Sequence, residues 1–479
     1  MSAIPSTPLP PAPVRWRWLG LAALLAAEAM NLLDSTIVQV AAPVIHAELG
    51  GRVSDIQWFS AAYTLVFALL LITGGRLGDI WGRRRVFRVG VTGFGLASLA
   101  CALAPSAGVL IAARVVQGAA SAVVIPQTFG LILAMFEGRE RARALGSIGP
   151  VMGLAAVSGP VLGGVLTHAD LFGASWRAVF AVNLPLAAAV LVLAPLLVED
   201  RAPRRAGLDP VGTALAALGT GLVVYPLIDT GTVASRPEWT WGSVAAGVAV
   251  LVGFGLHQRG RARRGRGPLI EVGLFAHAGF AWALATSTLF FAVTTGLMLV
   301  VVLHLQLGLG AGPLVAGLGL LPWSAGMAVA SWVAGARLMP RYGTRLMFPG
   351  LAVLLAGVVA AVPAYQAAAG PGAFPWLGLA ALGVAGVGIG LFSVPFFSAA
   401  LARAGAQEAG SAAGLLNAVQ QVGGTLGVAV LGGVFLHSGG GPGAAVQAAF
   451  WVAAGLLVAT AAAAVSIERP VGRFRWFRR

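Results

Sequence analysis

The chain has 479 residues, 58% hydrophobic and only 10% charged, with a mean hydropathy of +0.88; soluble domains carry about a quarter charged residues, so a soluble globular protein is excluded. Fourteen spans of about 20 apolar residues use about 280 and leave about 200 for loops and tails, the ratio of an all-α polytopic membrane protein. The net charge of +15 comes from 31 basic residues, every one an Arg, against 16 acidic ones, so neither a P-loop lysine nor a Schiff-base lysine exists here.

Residues 1–17 are rich in Pro, end in Arg15 and Arg17, and read as a disordered tail. The apolar run that follows is longer than the hydrophobic region of a leader and lacks a small-residue cleavage pattern, so it reads as the first spanning helix. Apolar runs and polar breaks place helices near 18–42, 56–78, 86–104, 107–135, 144–167 and 176–198, a six-helix bundle over 18–198. Two inserted helices near 211–229 and 241–258, with basic loops, fill 199–267. Six more, near 279–303, 312–336, 346–367, 375–402, 411–436 and 445–466, form a second bundle over 268–466, and 467–479 is a basic tail.

Topology is tested by where Arg falls. With the N-terminus inside, 27 of the 31 Arg lie on cytoplasmic segments, Arg52, Arg177 and Arg236 lie outside, and Arg114 lies within a helix. That asymmetry fits the positive-inside rule with both termini cytoplasmic. It also accounts for the net charge better than nucleic-acid binding does, because the Arg residues are spread over every inner loop and form no single stripe; contact with anionic inner-leaflet lipid is a side effect. The segment Arg76 to Arg84 recurs as Arg337 to Arg345, with Arg, Leu, Gly and Arg coinciding and Trp81 facing Tyr342. Such repeated halves are typical of secondary transporters, whose substrate site lies at the interface of the halves near the midplane.

Enzyme chemistry has no visible foothold. Cys101 has no partner for a disulfide, the six His show no metal-ligand spacing, and no Ser/His/Asp set is apparent. No catalytic residue, metal or cofactor is therefore assigned.

The polar residues within spans carry the functional reading. Asp34 lies about midway along the first helix, where an ionised carboxylate in hydrocarbon costs several kcal/mol unless it faces protein or water. Its expected place is beside a wet passage, where it takes and releases a proton; the alternative is a carboxylate tied to neighbouring groups such as Ser35 or Thr36. Glu28 lies six residues earlier, about 120° round the helix, and need not share that face. Arg114, about two turns into the fourth helix, needs a carboxylate, carbonyls or water, in a proton-transfer role or as a fixed link between helices. Asp79 ends the second helix beside Arg83 and Arg84, with Gly75, Gly78 and Gly82 leaving room for a tight turn. The fifth helix holds Gly149, Pro150, Gly159, Pro160, Gly163 and Gly164, which permit close backbone contact and a kink. Asn31, Trp58, Tyr63, Gln117, Gln127, His304, Gln306, Asn417 and Gln421 are candidates for a substrate cavity, with helix-to-helix glue or interfacial anchoring as the plainer role for most of them; Asn183 reads as such glue.

Taken together, GRLGDIWGRRRVF from Gly75 to Phe87 resembles the helix 2–3 loop signature of the major facilitator superfamily. LDSTIVQVAAP (33–43), RVVQGAASAVVIPQ (114–127) and GPVMGLAAVSGPVLGG (149–164) resemble its fourteen-helix drug:proton antiporters, the EmrB/QacA group. WRAVFAVNLP (176–185), PLIEVGLF (268–275) and 305–322 extend the likeness over nearly the whole chain. The resemblance implies proton coupling at Asp34 and Arg114, a conformational latch at Gly75, Asp79, Gly82, Arg83 and Arg84, and an antiporter motif in the fifth helix. The second copy of the latch has Pro340 in place of Asp79, which puts a latch in that half in doubt.

Without a nucleotide site, the energy must come from an ion gradient or from the substrate's own gradient. One charge moved through 100 mV is worth about 2.3 kcal/mol, about a fortyfold concentration ratio. The expectation is a proton-coupled exporter of lipophilic drugs or antibiotics, neutral or weakly cationic, taken from the cytoplasm or inner leaflet of a bacterial cytoplasmic membrane. A dedicated exporter or importer of one metabolite and a non-transporting receptor or scaffold are the alternatives. Oligomeric state is not readable from the residues.

Overall fold

The computed structural model describes residues 14–170, 173–198, 207–229, 238–277, 279–367, 375–402 and 409–468. Thirteen helical stretches among them are long and apolar enough to cross a bilayer. One of these, Pro313–Gln366, has 54 residues, about 81 Å of helix at 1.5 Å per residue against a hydrocarbon core of about 30 Å. Gly343, at φ 59°, folds it back on itself, so it holds two crossings and the described chain makes fourteen.

In chain order the crossings are α1 (Val14–Leu49), α2 (Asp55–Trp81), α3 (Arg83–Ala102), α4 (Ala107–Met135), α5 (Ile148–His168), α6 (Arg177–Leu196) and α7 (Pro210–Asp229). They continue as α8 (Glu238–Arg263), α9 (Phe280–Gly308), α10 (Pro313–Gly319, Leu321–Val333 and the turns through Met339–Tyr342) and α11 (Met347–Ala367). The last three are α12 (Trp376–Leu401), α13 (Ser411–His437) and α14 (Pro442–Glu468). The helices alternate in direction, so the Arg-rich segments gather at one end of the bundle, the basic end, and Arg52 and Arg177 lie at the far end. Arg236, Arg201, Arg204, Arg205 and Arg403 lie outside the described residues.

Several boundaries differ from the sequence reading, among them the end of α8, which runs five residues past 258 to Arg263. The first helix runs on past Pro43 to Leu49, because Ile45 still packs in the core and one missing backbone hydrogen bond is outweighed by that burial. Arg15 and Arg17, expected in a tail, belong to α1, and the remainder of that tail and residues 469–479 lie outside the described residues. Residues expected as a loop form a short helix, Gly138–Gly146; its Arg and Ala residues are strong helix formers, Ala144 is buried, and Arg17 meets Glu140 at 3.4 Å. The fifth crossing consequently begins four residues later than expected.

The repeat shows in the backbone. Gly82 closes α2 at φ 94°, and its counterpart Gly343 reverses the chain after α10 at φ 59°, both in a region that disfavours a side chain. The core is continuous between the first and last six helices at the far end, where Ile37, Val40 and Ile45 join Leu299, Val302, Leu305 and Ala316. Near the basic end Leu24, Phe87, Leu131, Met135 and Leu197 form a second core, drawn from the first six helices apart from Ala418 of α13. The two groups of helices thus share their largest core at the far end, while toward the basic end Ile72 of α2 still packs against Leu274, Phe280 and Leu415.

Candidate functional site

Five helices bring their polar side chains to one point inside the first six-helix group. Asp34 of α1 and Arg114 of α4 are both 0% exposed and form an ion pair through Arg114 Nη1 and Asp34 Oδ2. Gln117, one turn along α4, donates from Nε2 to Asp34 Oδ1 at 2.9 Å and to Ser98 Oγ of α3 at 2.8 Å. Asn183 of α6 donates to Asp34 Oδ1 at 2.8 Å. Three donors on one carboxyl, with none accepting from it, is the pattern of an acceptor-only carboxylate. Arg114 in turn donates to Gln117 Oε1 at 2.7 Å and from Nε to the Phe59 carbonyl at 2.8 Å. Its guanidinium lies 4.2 Å from the Tyr63 ring centroid, and Tyr63 donates to Asn31 Oδ1 and shares a 2.8 Å hydrogen bond with Ser121.

Asp34 therefore does not stand beside a wet passage in this conformation, contrary to the expectation from sequence. It is tied, but to distant helices instead of to Ser35 and Thr36, whose hydroxyls bond the Leu32 and Leu33 carbonyls. A guanidinium so deep in the helices requires a counter-charge, and Asp34 supplies it. Ser98 and Asn183 join the cluster beyond the site residues expected from sequence; the signal for Ser98 is its spacing with Cys101 on one face of α3, both of which reach Gln117. Glu28 is outside this network. It is buried beside Thr128 of α4, and its Oε1 meets no hydrogen-bond partner among the described residues.

A cavity of about 760 Å³ opens at the basic end between α2, α4, α13 and the segments flanking the inserted pair. Leu71, Ile72, Ile125, Phe129, Leu133 and Leu415 give it apolar walls, and Gln127, Asn417 and Ser411 add polar groups. Its rim carries Arg76, Asp79, Arg83 and Glu271. Arg83 reaches Asp79 at 3.1 Å, and Arg76 donates to the carbonyls of Gly207 at 2.6 Å, Gly267 at 3.3 Å and Pro268. Behind that rim, Asp209 at the start of α7 receives the Gly212 N–H at 2.9 Å, Gln258 at 2.8 Å and the ring of His257 at 3.0 Å. Burial pushes the Asp209 carboxyl up, but the Gly212 N–H, His257, Gln258 and Arg261 outweigh it and hold it below the usual carboxylate range. Gln258 also accepts the Leu269 N–H at 2.6 Å, so the inserted pair grips the segment leading into α9.

At the far end the two groups of helices touch directly. Gly164 and Pro160 of α5 lie against the Pro313 and Gly317 backbone of α10, close enough that a Cβ at Gly164 would sit 2.7 Å from the Pro313 oxygen. Gln306 of α9 donates to the Val40 carbonyl of α1 at 2.7 Å, and Thr64 of α2 shares a 2.8 Å hydrogen bond with Thr425 of α13. A fourteen-helix bundle with an internal repeat, shut at one end and open by a cavity at the other, matches an alternating-access transporter.

The Major Facilitator Superfamily pattern matches residues 24–428. The chain belongs to that superfamily. It is 45% identical over 426 residues to a probable actinorhodin transporter of Streptomyces coelicolor, covering 89% of this chain and 73% of that one. It is 36% identical to the puromycin resistance protein of Streptomyces alboniger, covering 87% and 81%. The fold superposes on an auto-inhibited POT-family peptide transporter with TM-score 0.66 at 15% identity, covering 95% and 98% of the two chains, a likeness of fold alone. The protein is thus a multi-pass major facilitator transporter, not an enzyme, and these relatives are bacterial transport and resistance proteins.

Within this major facilitator fold the expected site residues divide. Of the latch residues, Gly75, Asp79 and Arg83 line the cavity, Gly82 supplies the turn, and Arg84 instead donates to the Leu197 carbonyl at 3.2 Å, tying α3 to α6. Of the fifth-helix motif, Gly159 and Gly163 face α1 at Thr36 and Ile37, Pro160 and Gly164 face α10, and Gly149 and Pro150 are exposed. Of the expected cavity residues, Gln127 and Asn417 line the cavity. The others are elsewhere. Gln117, Tyr63 and Asn31 serve the Asp34–Arg114 cluster, Trp58 packs at a tilt against Tyr225 of α7 with centroids 6.0 Å apart, and Gln306 joins the far-end contact. His304 is sealed among Tyr365 and Phe435, and Gln421, half-buried on α13, accepts the Thr425 hydroxyl through its carbonyl.

Proposed function

We propose that the protein exports lipophilic small molecules, drugs or antibiotics, in exchange for protons, and that Asp34 and Arg114 couple the two flows. On this reading it sits in the bacterial cytoplasmic membrane with both termini and the basic end in the cytoplasm, so the cavity loads from the cytoplasm or inner leaflet. The observation that carries the reading is the dry Asp34–Arg114 pair. Such a pair is stable while intact and costs several kcal/mol once one charge is neutralised, so protonation of Asp34 must release Arg114 and its helix contacts. Support for the substrate class comes from apolar walls and a volume within the range of about 300–1,000 Å³ of small-molecule sites. The latch residues Asp79 and Arg83 act at the mouth, Glu28 is a second carboxyl on the same helix, and the fifth-helix motif forms the hinge contact with α10.

The test is uptake of a fluorescent lipophilic drug into inside-out vesicles after an imposed pH gradient. Gradient-dependent uptake that Asp34→Asn abolishes, with the variant folded and in the membrane, is the expected result; coupling retained in full by that variant clears Asp34. A dedicated exporter of one compound is the second reading, favoured by the single-compound name of the relative at 45% identity; transport of one member only from a panel of unrelated lipophilic compounds selects it.

A further inference from the structure

The far-end contact holds two glutamines in opposite circumstances. Gln306 lies in a widened, π-helical turn of α9, His304–Gly308, and its Nε2 donates to the Val40 carbonyl of α1 at 2.7 Å. Gln57 lies in the first turn of α2, is 0% exposed, and neither its amide oxygen nor its nitrogen has a hydrogen-bond partner among the described residues. Its amide is pressed onto a second π-helical turn, Val428–Gly432 of α13, where a Cβ at Gly432 would lie 2.9 Å from Gln57 Nε2. Each glutamine thus reaches from one group of helices to a contact with the other, and each contact is made at a π turn, a feature concentrated at functional positions. A hydrogen bond that exists only while this end is closed stabilises closure. A buried amide with no partner costs free energy only while this end is closed, because separation of α2 from α13 returns it to water.

We propose that Gln306 and Gln57 are opposed positioning residues of the far-end gate: Gln306 holds it shut through Val40, and Gln57 biases it to open, so that neither end of the transport cycle becomes a trap. The proposal rests on alternating access alone and not on the assignment of proton or drug. Side chains elsewhere in the contact, such as Thr64 and Thr425, satisfy one another and exert no such bias.

The test is a spin-label distance across the far end in lipid nanodiscs. Labels are placed at Ala47→Cys on α1 and Val315→Cys on α10, both exposed positions, in a Cys101→Ala background that removes the one native thiol. Gln306→Leu is expected to shift the ratio of long to short distances about tenfold toward long, about 1.4 kcal/mol. Gln57→Leu, added to Gln306→Leu, is expected to move the ratio back toward short by a similar factor, and each single variant to slow transport. Movement of both variants in the same direction, or no movement with Gln57→Leu in the double variant, overturns the proposal. Where a Leu variant fails to fold, the Met variant at the same position carries the same expected sign and the same refuting result.

Discussion

The Asp34–Arg114 pair gives a prediction whose size follows from its burial. Both side chains are fully enclosed, so Asp34→Asn leaves the guanidinium without its counter-charge, and the new amide nitrogen meets a donor in either orientation, Arg114 at the Oδ2 place or Gln117 and Asn183 at the Oδ1 place. Removing one partner of a buried pair costs about 3–5 kcal/mol, whereas removing both charges is often nearly neutral. Asp34→Asn and Arg114→Gln are each expected to lower the unfolding temperature in detergent, and the double variant to recover most of the loss, a coupling of several kcal/mol in a double-mutant cycle. Cys101 supplies the readout: it is the only cysteine in the chain and is fully buried, so a thiol-reactive fluorogenic dye reports its exposure on heating. Proton-driven transport stays lost in all three variants, because stability recovers with the charge balance and coupling does not. Additive losses in the double variant would refute the reasoning, since they would mean that the two residues do not share one interaction.

Two further predictions concern the basic end. Arg83 lies across Gly130 of α4, where a Cβ would meet its Cδ and Nε at 2.6 Å, so Gly130→Ala displaces a flexible side chain and breaks its pair with Asp79 while favouring the helix by about 1 kcal/mol; unfolding temperature is expected to hold or rise while transport falls severalfold, with no further fall on adding Asp79→Asn, and undiminished transport by Gly130→Ala counts against a latch there. Asp209 has its native carboxyl held below the ordinary range, so its contribution is complete above the unfolded value of about 3.9 and is lost as pH falls through the lower native value; Asp209→Asn is therefore expected to melt below the parent by a constant margin from pH 5 to 8, followed by intrinsic tryptophan fluorescence, with the two curves converging below about pH 4, and a margin that widens in acid contradicts the assignment.

The parts of the fold legible in the residues are those governed by the bilayer. Helix number followed from apolar length, the gathering of Arg at one end of the bundle from its spacing along the chain, and the repeat from two matching turns whose glycines prove to share positive φ. The helix Gly138–Gly146 escaped because its charged residues read as a loop, and its order comes from docking Ala144 and pairing with Arg17 on α1. The site divides in the same way. Asp34 and Arg114 announce themselves because a charge in hydrocarbon has no bland local explanation, but their union spans 80 residues and no local pattern encodes it. The cavity residues were the least legible, since an amide such as Gln306 or Gln117 is compatible with substrate, backbone or ion pair until the helices around it are placed.

The sealing of Asp34 bears directly on how a gradient could drive this molecule. Proton-motive energy arrives in parcels of about 2.3 kcal/mol per charge per 100 mV, and it is exchanged efficiently only with an interaction of comparable size that differs between conformations. The half-exposed Asp79–Arg83 pair is worth at most about 1 kcal/mol, and a single gate hydrogen bond such as Gln306 to Val40 about as much. These contacts set the balance between open and closed ends, but neither is large enough alone to absorb a proton's free energy. The Asp34–Arg114 pair is on the required scale, and Arg114 also holds the Phe59 carbonyl of α2 and lies over Tyr63. Neutralising Asp34 therefore loosens α1, α2 and α4 together, the helices that carry Val40, Gln57 and the cavity wall to the two ends. A carboxylate open to water in this conformation would take up a proton with little effect on helix packing; on the proposed reading, the dry pair makes protonation and rearrangement one event.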